Sequence, residues 1–482
     1  MRKGNTPGRF KTRNIESNFI VREGMERQLA EGLGFNWFAS FRKETYPAPD
    51  DEKRWKRIFD RLEWLNPKLF RFGLGKEICD DAGRLVTDVP SLKQLVRLDR
   101  WAQKRGARII LSPFWVPTAY QYDPWPGAPG AWDVPNDFHF GVKDIDRYVS
   151  KFVVPLVKHA VVDLDCRSVV YFNHVNEPLM GNICATPPPL DDHKRYVEVC
   201  AGIRQGLREA GLSHVGNLGP DTATLRYWPI PRMLEHGADL NEAVDAYSMH
   251  HYASRFDWDV ESHNIESNTM TETMETMVRP FAKYAHEHRK PFLMTEMGMF
   301  HYGWSRGDSA GIQRHDTTVL EAEFIVRALG AGADCVLRWA WLNPGDMDGW
   351  WQLLRTTDGS DEPMENSYRS YGTLCRFIGE RAKILPVGVM HYPGTPVTAH
   401  ALAVENLDGT RTIFVVNDAY ADVARVNVQM RTGGPTTVRK IVNDPVRKYH
   451  YAGDIDCPNG QLDYSDLLSP MSLTVYTTSE RL

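Results

Sequence analysis

Two segments of this chain, residues 171–178 and 292–298, each have the character of a buried strand that reaches a glutamate at its end. The first reads YFNHVNEP and contains Glu177; the second reads FLMTEMG and contains Glu296. An apolar strand has no reason to carry a carboxylate at its end unless that end opens into a polar site. Two such strands in one domain predict two carboxylates facing each other across a pocket, which is the arrangement that hydrolyses glycosidic bonds.

The composition is that of a globular protein with a large core. Of the 482 residues, 42% are hydrophobic and 25% are charged, and the formal net charge is −5. This charge gives no reason to expect nucleic acid or an anionic membrane surface as a partner. No apolar run approaches the roughly 18 residues of a membrane span. The length suits a barrel of about 250 to 400 residues with one accessory domain.

The cysteines and the N-terminal residues bear on the cellular compartment. The seven cysteines are scattered and include no C-x-x-C pair, so neither a zinc cluster nor a redox motif is expected. Unpaired cysteines favour a reducing compartment, and the basic residues 1–11 are not followed by the apolar run of a signal peptide. We therefore expect a cytoplasmic protein, although a secreted protein that has lost its signal peptide would give the same sequence.

Strand-like and helix-like segments alternate from about residue 31 to about residue 380. Apolar runs of strand character are separated by segments with apolar residues at helical spacing, such as residues 91–105. The predicted strands lie near residues 34–39, 69–73, 108–113, 171–177, 214–219, 243–252, 292–296 and 334–341. Eight such β/α pairs predict an α/β fold, the (β/α)8 TIM barrel.

After residue 386 the pattern changes to short alternating segments separated by turn signals such as Asp408-Gly409 and Gly433-Gly434. This pattern predicts a C-terminal all-β domain, most simply a sandwich. The predicted organisation is an N-terminal extension over residues 1–30, a catalytic barrel over residues 31–380 and a β-sandwich domain over residues 381–482.

The tripeptide Asn176-Glu177-Pro178 on strand four and the pair Thr295-Glu296 on strand seven resemble the signature of clan A glycoside hydrolases, the 4/7 superfamily. The resemblance covers the barrel and implies hydrolysis of β-glycosidic bonds with retained configuration, through a two-glutamate double displacement. It implies that Glu177 is the acid/base, that Glu296 is the nucleophile, and that Asn176 hydrogen-bonds the sugar 2-hydroxyl. The negative charge of Glu296 and partial burial are expected to keep Glu177 protonated at the start of the reaction.

The same resemblance gives roles to residues on two other strands. Arg71 ends strand two, where such enzymes keep an arginine that binds the nucleophile and holds it ionised; a salt bridge to a helix is the alternative. His250-His251-Tyr252 ends strand six and resembles the His-x-Tyr found there. This would make Tyr252 the second partner that holds Glu296 ionised and would place His250 along the sugar site.

Several more residues are candidates for substrate binding. Trp341 matches the tryptophan that forms the floor of the subsite for the cleaved sugar, whereas Trp339 points the same way along strand eight and could instead belong to the barrel core. Trp115 follows strand three and is included as a substrate-binding residue, although the histidine often found there is missing. Asp221, after strand five, binds a sugar hydroxyl or caps the next helix. His174 belongs to this site or is a buried structural histidine.

Two other classes of protein use a barrel. A carbohydrate-binding protein on an inactive barrel would have lost a catalytic glutamate, whereas both are present here. A metal-dependent barrel hydrolase needs a His-x-His on strand one, which here reads FNWF over residues 35–38. The neighbours His250 and His251 point to opposite faces of a strand, so only one can face the pocket. No cofactor or metal is expected.

The expected substrate is an oligosaccharide or a glycoside; the sugar, the linkage and the oligomeric state are not predicted. The loop over residues 116–141 contains Trp125 and Trp132. It either walls off one end of the cleft, which would give a pocket and exo action, or forms a surface flap anchored by buried tryptophans. Both interpretations stay open at this point.

Overall fold

A computed structural model describes residues 15–38, 40–41, 44–45, 47–123, 125, 141–178, 186–223, 229–253, 270–299, 314–341, 351–355, 360–391 and 397–481. The chain divides into two compact units, one spanning Gln28–Ala382 and the other combining Met1–Arg27 with Lys383–Leu482. Across the described residues, no helix has the length and apolar character needed to cross a membrane.

The larger unit is a closed barrel of parallel strands in which each strand pairs with the next along the chain. The last strand closes the barrel onto the first, with Cys335 opposite Gly32. The barrel strands are β1 (Gly32–Phe38), β2 (Leu69–Gly73), β3 (Arg108–Ser112), β4 (Val169–Phe172), β5 (Gly216–Ala223), β6 (Ala246–Ala253), β7 (Phe292–Met299) and β8 (Cys335–Arg338). The predicted (β/α)8 TIM barrel is confirmed.

Helical segments alternate with these strands. They are α1 (Glu52–Leu65), α2 (Pro90–Arg105), α3 (Ile145–Tyr148, continued by Val149–Val153, Val154–Lys158 and His159–Asp163), α4 (Asp192–Glu209), α5 (Pro229–Glu235), α6 (Met270–Thr273, continued by Met274–Val278 and Arg279–Glu287), α7 (His315–Ala331) and α8 (Glu365–Phe377). Local signals set their ends. The carboxylate of Asp51 accepts the backbone N–H of Arg54 at the start of α1, and Gly106, with φ 64°, ends α2 in the left-handed conformation that glycine adopts without strain.

Alternation along the strands separates an interior side of the barrel wall from an exterior side. The interior apolar layer consists of Leu69, Ile110, Leu218, Ala246, Leu293, Cys335 and Leu337, with Tyr171 packed against it. On β2, Arg71 follows Leu69 by two residues and therefore points to the same interior, nearer the carboxyl ends of the strands. The apolar layer thus supports a polar layer at the end of the barrel where such folds carry their sites.

The two glutamates leave the strands in different ways. Glu296 lies within β7, three residues before its end. The prediction that strand four extends to Glu177 is wrong, because β4 ends at Phe172. Beyond that point the backbone is still tied to the barrel: the N–H of Asn173 donates to the carbonyl of Leu111 at 3.0 Å. Glu177 therefore lies in the loop after β4, with a φ of 48°.

The smaller unit is built from two antiparallel-rich sheets around an apolar core, as the predicted sandwich requires. One sheet has the order Val387–His391, Ile15–Val21, Ala424–Arg431 and Gln461–Leu468. The other contains, in order, Lys383–Leu385, Ala399–Glu405, Arg411–Asn417, Ser472–Thr477, Thr436–Asn443 and His450–Cys457.

The structure corrects the interpretation of residues 1–30 as a separate extension. The strand Ile15–Val21 pairs with Val387–His391 on one side and with Ala424–Arg431 on the other. Phe19 of this strand is fully buried in the core of the sandwich. The segment therefore belongs to the β-sandwich, because its alternating apolar residues complete that core.

Candidate active site

Glu296 is a firmly held carboxylate at the carboxyl end of the barrel. Its Oε1 accepts a hydrogen bond from Nη1 of Arg71 at 2.6 Å, and its Oε2 accepts one from the hydroxyl of Tyr252 at 2.8 Å. The residue is 2% exposed. Both oxygens are therefore fixed by donors from two other strands, β2 and β6.

Glu177 lies opposite Glu296 and is more accessible. Its backbone N–H donates to the carbonyl of Asp221 at 3.1 Å, which anchors the loop after β4. Its Oε1 lies 2.9 Å from Nδ1 of His250, and its side chain is 19% exposed. One oxygen of Glu177, one oxygen of Glu296 and one nitrogen of His250 all lie within 4.8 Å of one another.

Arg71 connects four of the surrounding strands or the loops that follow them. The guanidinium is fully buried and donates to Asn36 (3.2 Å), Glu296 (2.6 Å), Asn173 (3.2 Å), Asn176 (2.7 Å) and Asp221 (2.6 Å). The ring of Phe114 lies 4.2 Å from its central carbon. Arg71 is therefore an interior cation of the barrel, and its ion pairs within the described residues are with Asp221 and Glu296 of the barrel strands.

The charges of the site are strongly coupled. Burial raises the pKa of Glu296, and although the positive charges of His250 and Arg71 lower it, the result is about 7. Burial alone would lower the pKa of His250, but the negative charges of Glu296 and Asp221 outweigh it and raise the pKa to about 10. The expectation that Arg71 and Tyr252 keep Glu296 ionised stays a prediction: both groups donate to its oxygens and Arg71 lowers its pKa, whereas burial opposes ionisation.

Asp221 is neither a cap of the next helix nor a group open to a sugar. It is fully buried, and its carboxylate binds Arg71, the hydroxyl of Thr295 and, at 3.2 Å, Nε2 of His250. The last contact is at ion-pair distance, although its angle is poor for a hydrogen bond. Burial raises the pKa of Asp221, but Arg71 and His250 outweigh burial and lower it. The assignment of Asp221 to sugar binding is corrected accordingly.

Trp341 also differs from its predicted place. Strand β8 ends at Arg338, so the strand alternation that pointed both tryptophans the same way does not extend to Trp341. Trp341 is fully buried and stacks on Phe35 (5.4 Å) and Trp37 (6.3 Å). These two residues alternate with the interior-facing Asn36, so Trp341 packs on the exterior of the barrel wall and is not a floor for a sugar.

Trp339, the first residue after β8, is the tryptophan that lies beside the site. It is partly exposed and follows the interior residue Leu337 by two positions. Its ring contacts those of Phe38 at 4.7 Å and Phe114 at 6.4 Å. Because Phe114 also contacts Arg71, Trp339 lies at the mouth of the barrel beside the glutamates.

Other candidates are distributed around this centre. Asn176 is partly exposed and accepts a hydrogen bond from Arg71. His250 is fully buried and exposes no surface to a sugar, although it touches both glutamates. Trp115 is partly exposed and borders a cavity of about 200 Å³ on the same end of the barrel, which Lys76 and Gln121 also line.

Two histidines near the site face the other side of the wall. His174 is buried and stacks on Tyr196 of α4 at 5.3 Å, and burial lowers its pKa to about 3. His251 stacks on Phe324 of α7 at 5.1 Å, and burial lowers its pKa to about 3 as well. His174 is therefore a structural histidine of the layer between strands and helices.

Two interior asparagines belong to the site although no sequence motif singled them out. Asn36 accepts from Arg71 and donates to the carbonyl of Thr295 at 2.8 Å. Asn173 accepts from Arg71 and from the hydroxyl of Ser112 at 2.9 Å. The sequence signal that could have identified them is an asparagine within or directly after an otherwise apolar barrel strand.

Three side chains of the centre are close enough together to be considered as metal ligands. Glu177, His250 and Glu296 each offer one ligand atom in a compact group. Metal ligation requires a neutral histidine, whereas the pKa of His250 is raised to about 10 and the guanidinium of Arg71 already occupies Glu296. These residues fit the transfer of protons better than the binding of a cation.

Of the loop over residues 116–141, residues 124 and 126–140, including Trp132, lie outside the described part.

The chain resembles known proteins in its structure and not in its sequence. No family model matches the sequence, and no curated protein matches it. Solved structures do match over nearly the full length. An endoxylanase of glycoside hydrolase family 30 from Clostridium papyrosolvens is 14% identical, with a TM-score of 0.64 over 97% of this chain and 100% of that one. This chain therefore shares the fold of that endoxylanase.

Two further solved structures extend the likeness beyond that family. A family 39 enzyme from Xanthomonas axonopodis pv. citri is 14% identical, with a TM-score of 0.60 and 97% of each chain covered. An endo-β-1,6-glucanase is 13% identical, with a TM-score of 0.61 over 96% of this chain and 94% of that one. At these identities the likeness establishes the shared fold, which is the fold that the clan A resemblance implied.

Proposed function

We propose that this protein is a retaining glycoside hydrolase that cleaves β-glycosidic bonds through a covalent glycosyl-enzyme. The observation that carries the proposal is the approach of the Glu177 and Glu296 carboxylates, with oxygens within 4.8 Å, at the carboxyl ends of β4 and β7. Retaining enzymes keep their two carboxyl groups about 5 to 5.5 Å apart, whereas inverting enzymes need about 6.5 to 9.5 Å to admit a water. The observed separation supports the retaining mechanism.

The surroundings of the two glutamates support different roles. Glu296 is buried and held by Arg71 and Tyr252, as a nucleophile that must attack from one direction requires. Glu177 is 19% exposed, so it can exchange protons with water and reach the leaving oxygen. Glu296 therefore attacks the anomeric carbon while Glu177 protonates the leaving group.

The second step reverses these roles. Glu177, now ionised, takes a proton from water as the water attacks the anomeric carbon, and the bond to Glu296 breaks. Arg71 and Tyr252 stabilise the charge that returns to Glu296. Since Arg71 occupies Oδ1 of Asn176, the side-chain amide of Asn176 is the group left to donate to the sugar 2-hydroxyl.

The substrate proposed is an oligosaccharide or glycoside. The xylanase and the endo-β-1,6-glucanase among the similar structures support a carbohydrate with β linkages. Trp339 and Trp115 are partly exposed and supply flat apolar surfaces on which sugar rings stack. The described cysteines are unpaired thiols, and a cytoplasmic location remains a prediction.

The test follows the anomeric configuration of the product. A panel of aryl β-glycosides and oligosaccharides identifies a substrate, and proton NMR during early turnover identifies the anomer released first. We expect the β anomer, with no signal from the Glu296→Ala variant as the control. Initial release of the α anomer would contradict the assignment of Glu296 as the nucleophile.

A further inference from the structure

Asp221 is a buried carboxylate that takes part in neither chemical step of the proposed reaction. It is fully buried, so it does not touch a substrate. A carboxylate of this kind is costly to bury unless it is paired and hydrogen-bonded. Asp221 meets this condition through Arg71, Thr295 and His250, and two of these three partners also contact Glu296.

His250 is the partner that joins Asp221 to both glutamates. Its Nε2 lies 3.2 Å from Oδ1 of Asp221. Its Nδ1, on the opposite edge of the ring, lies 2.9 Å from Glu177 and 3.5 Å from Glu296. An imidazolium carries a proton on both nitrogens, so a cationic His250 can form an ion pair with Asp221 on one side and donate to the glutamates on the other.

The proposed reaction moves one negative charge between the two glutamates. In the first step the bond from Glu296 to the anomeric carbon forms, the bond to the leaving oxygen breaks, and the proton of Glu177 goes to that oxygen. The charge has then passed from Glu296 to Glu177, and the second step returns it. A cation placed between the glutamates stabilises both states, because it can follow the charge with a small shift of one hydrogen bond.

We propose that Asp221 is a positioning residue that keeps His250 cationic and directs its Nδ1–H at Glu177 and Glu296 through both steps. This inference rests on the proposed function. An isolated histidine has a pKa of about 6.5 and would be largely neutral at neutral pH. Glu296 and Asp221 together favour the cation, and Asp221 does so without touching the sugar or losing its charge during the reaction.

The other groups that face this pair are compatible with the inference. Arg71 reaches Asp221 from β2, Glu177 approaches from the loop after β4, and Glu296 approaches from β7. Tyr252, on the same strand as His250, remains protonated because burial raises its pKa. His174 lies on the other side of Asp221 and stays neutral, since burial lowers its pKa to about 3.

The remaining strands present uncharged groups to the centre. Asn36 of β1, Ser112 of β3 and Trp339 after β8 carry no charge that changes with pH in this range. Among the described residues that line the centre, the cations available to the two glutamates are thus Arg71 and His250. A guanidinium keeps its charge in proteins, so His250 is the cation whose charge depends on the carboxylates around it, Asp221 among them.

The experiment compares the wild-type protein with Asp221→Asn, an isosteric change that removes the charge. We expect the alkaline limb of kcat to move to lower pH, because the pKa of His250 falls toward its ordinary value. For each pH unit above the new pKa, the cationic fraction of His250 and the activity that depends on it fall about tenfold. KM should change little, since Asp221 does not touch the substrate.

A matched control separates this effect from loss of structure. Asp334 is also buried, accepts from Nε2 of His286 at 2.7 Å, and lies at the start of β8, at the opposite end of the barrel. Asp334→Asn removes an Asp–His contact of the same kind, so it should lower the melting temperature while the pH profile keeps its limbs. An equal pH shift in both variants, or an unshifted profile in Asp221→Asn, would overturn the inference.

A second readout does not need activity. In ¹⁵N-histidine NMR of the full chain, with His250→Gln used to assign the signal, His250 should stay protonated across neutral pH in the wild type and titrate there in Asp221→Asn. Titration of wild-type His250 near pH 6.5 would sink the inference even if the variant fails to fold. Persistence of activity in Glu296→Ala would instead reject the proposed function and leave the NMR result standing.

Discussion

Removal of the Tyr252 hydroxyl should slow the second chemical step more than the first. The hydroxyl donates to Oε2 of Glu296 at 2.8 Å. This bond is strong when Glu296 is a carboxylate and weak when it is a glycosyl ester, so its energy is recovered as the ester breaks. A hydrogen bond to a charged group contributes about 1.5 to 3 kcal/mol. Its loss in Tyr252→Phe therefore slows hydrolysis of the glycosyl-enzyme by about 10- to 100-fold.

The same energy shifts the acidic limb of the pH profile. The pKa of Glu296 is about 7, and loss of a donor to its ionised form should raise it by about one to two units. The nucleophile must be ionised, so the acidic limb of kcat/KM should move up by the same amount. Tyr252 itself does not titrate in this range, because burial raises its pKa well above the ordinary value.

The assay is steady-state and pre-steady-state kinetics with an aryl β-glycoside that has a good leaving group. For this substrate the second step limits turnover, so Tyr252→Phe should show a larger burst and a smaller kcat. Tyr371→Phe is the control, since the Tyr371 hydroxyl donates to the carbonyls of Gly34 and Val336 on the barrel wall. An unchanged acidic limb together with an unchanged kcat in Tyr252→Phe would refute the reasoning.

Two further substitutions test the placement of the tryptophans and of the charge on Glu296. Trp339→Ala should lower kcat/KM with a modest change in melting temperature. Trp341→Ala should instead cost about 3 to 5 kcal/mol of stability, because it empties a packed aromatic site. Kinetics and denaturation of both variants would show the reverse pattern if Trp341 were the surface on which the sugar stacks. The pKa of Glu296 is raised from 4.5 to about 7, so the stability that its bound proton provides is present below pH 4.5 and is lost as the pH rises to about 7. Glu296→Gln should not show this loss, and its stability relative to the wild type should increase over that window; a constant difference in denaturation midpoints would contradict the raised pKa.

The sequence predicted the barrel well because its strands carry clear signals. β2 and β7 are short, mostly apolar segments buried on both faces, as parallel barrel strands must be. The approach of Glu177 and Glu296 also followed from strand order, since the carboxyl ends of β4 and β7 face the same mouth. These features depend on local patterns and on topology, both of which a single sequence carries.

What the sequence missed depends on backbone geometry beyond the strand ends. Trp341 was placed by alternation, but β8 ends at Arg338 and the alternation ends with it. Glu177 was placed on a strand that stops at Phe172. Asp221 looked like a strand-end residue open to a ligand, whereas three partners from β2, β6 and β7 enclose it. Such contacts join distant parts of the chain, so no local pattern predicts them.

The N-terminal segment shows the same limit at the level of domains. Ile15–Val21 alternates like a strand, but its partners lie near residues 390 and 427. A strand whose neighbours are nearly 400 residues away gives no turn signal nearby, and turn signals were the basis for recognising the sandwich. The segment was therefore separated from the domain that it completes.

The central claim is that Glu296 forms the covalent intermediate and Glu177 serves as acid and base. Its most direct test is the product formed when azide is added to Glu177→Ala and to Glu296→Ala with an activated aryl β-glycoside. Azide needs no deprotonation, so it should restore turnover of Glu177→Ala and give the β-glycosyl azide, with retained configuration. Rescue of Glu296→Ala by the same route is not expected, since it cannot form the intermediate. An inverted azide product from Glu296→Ala is compatible with its loss as nucleophile, whereas an inverted product from Glu177→Ala, or near-native activity of both variants without azide, would contradict the account.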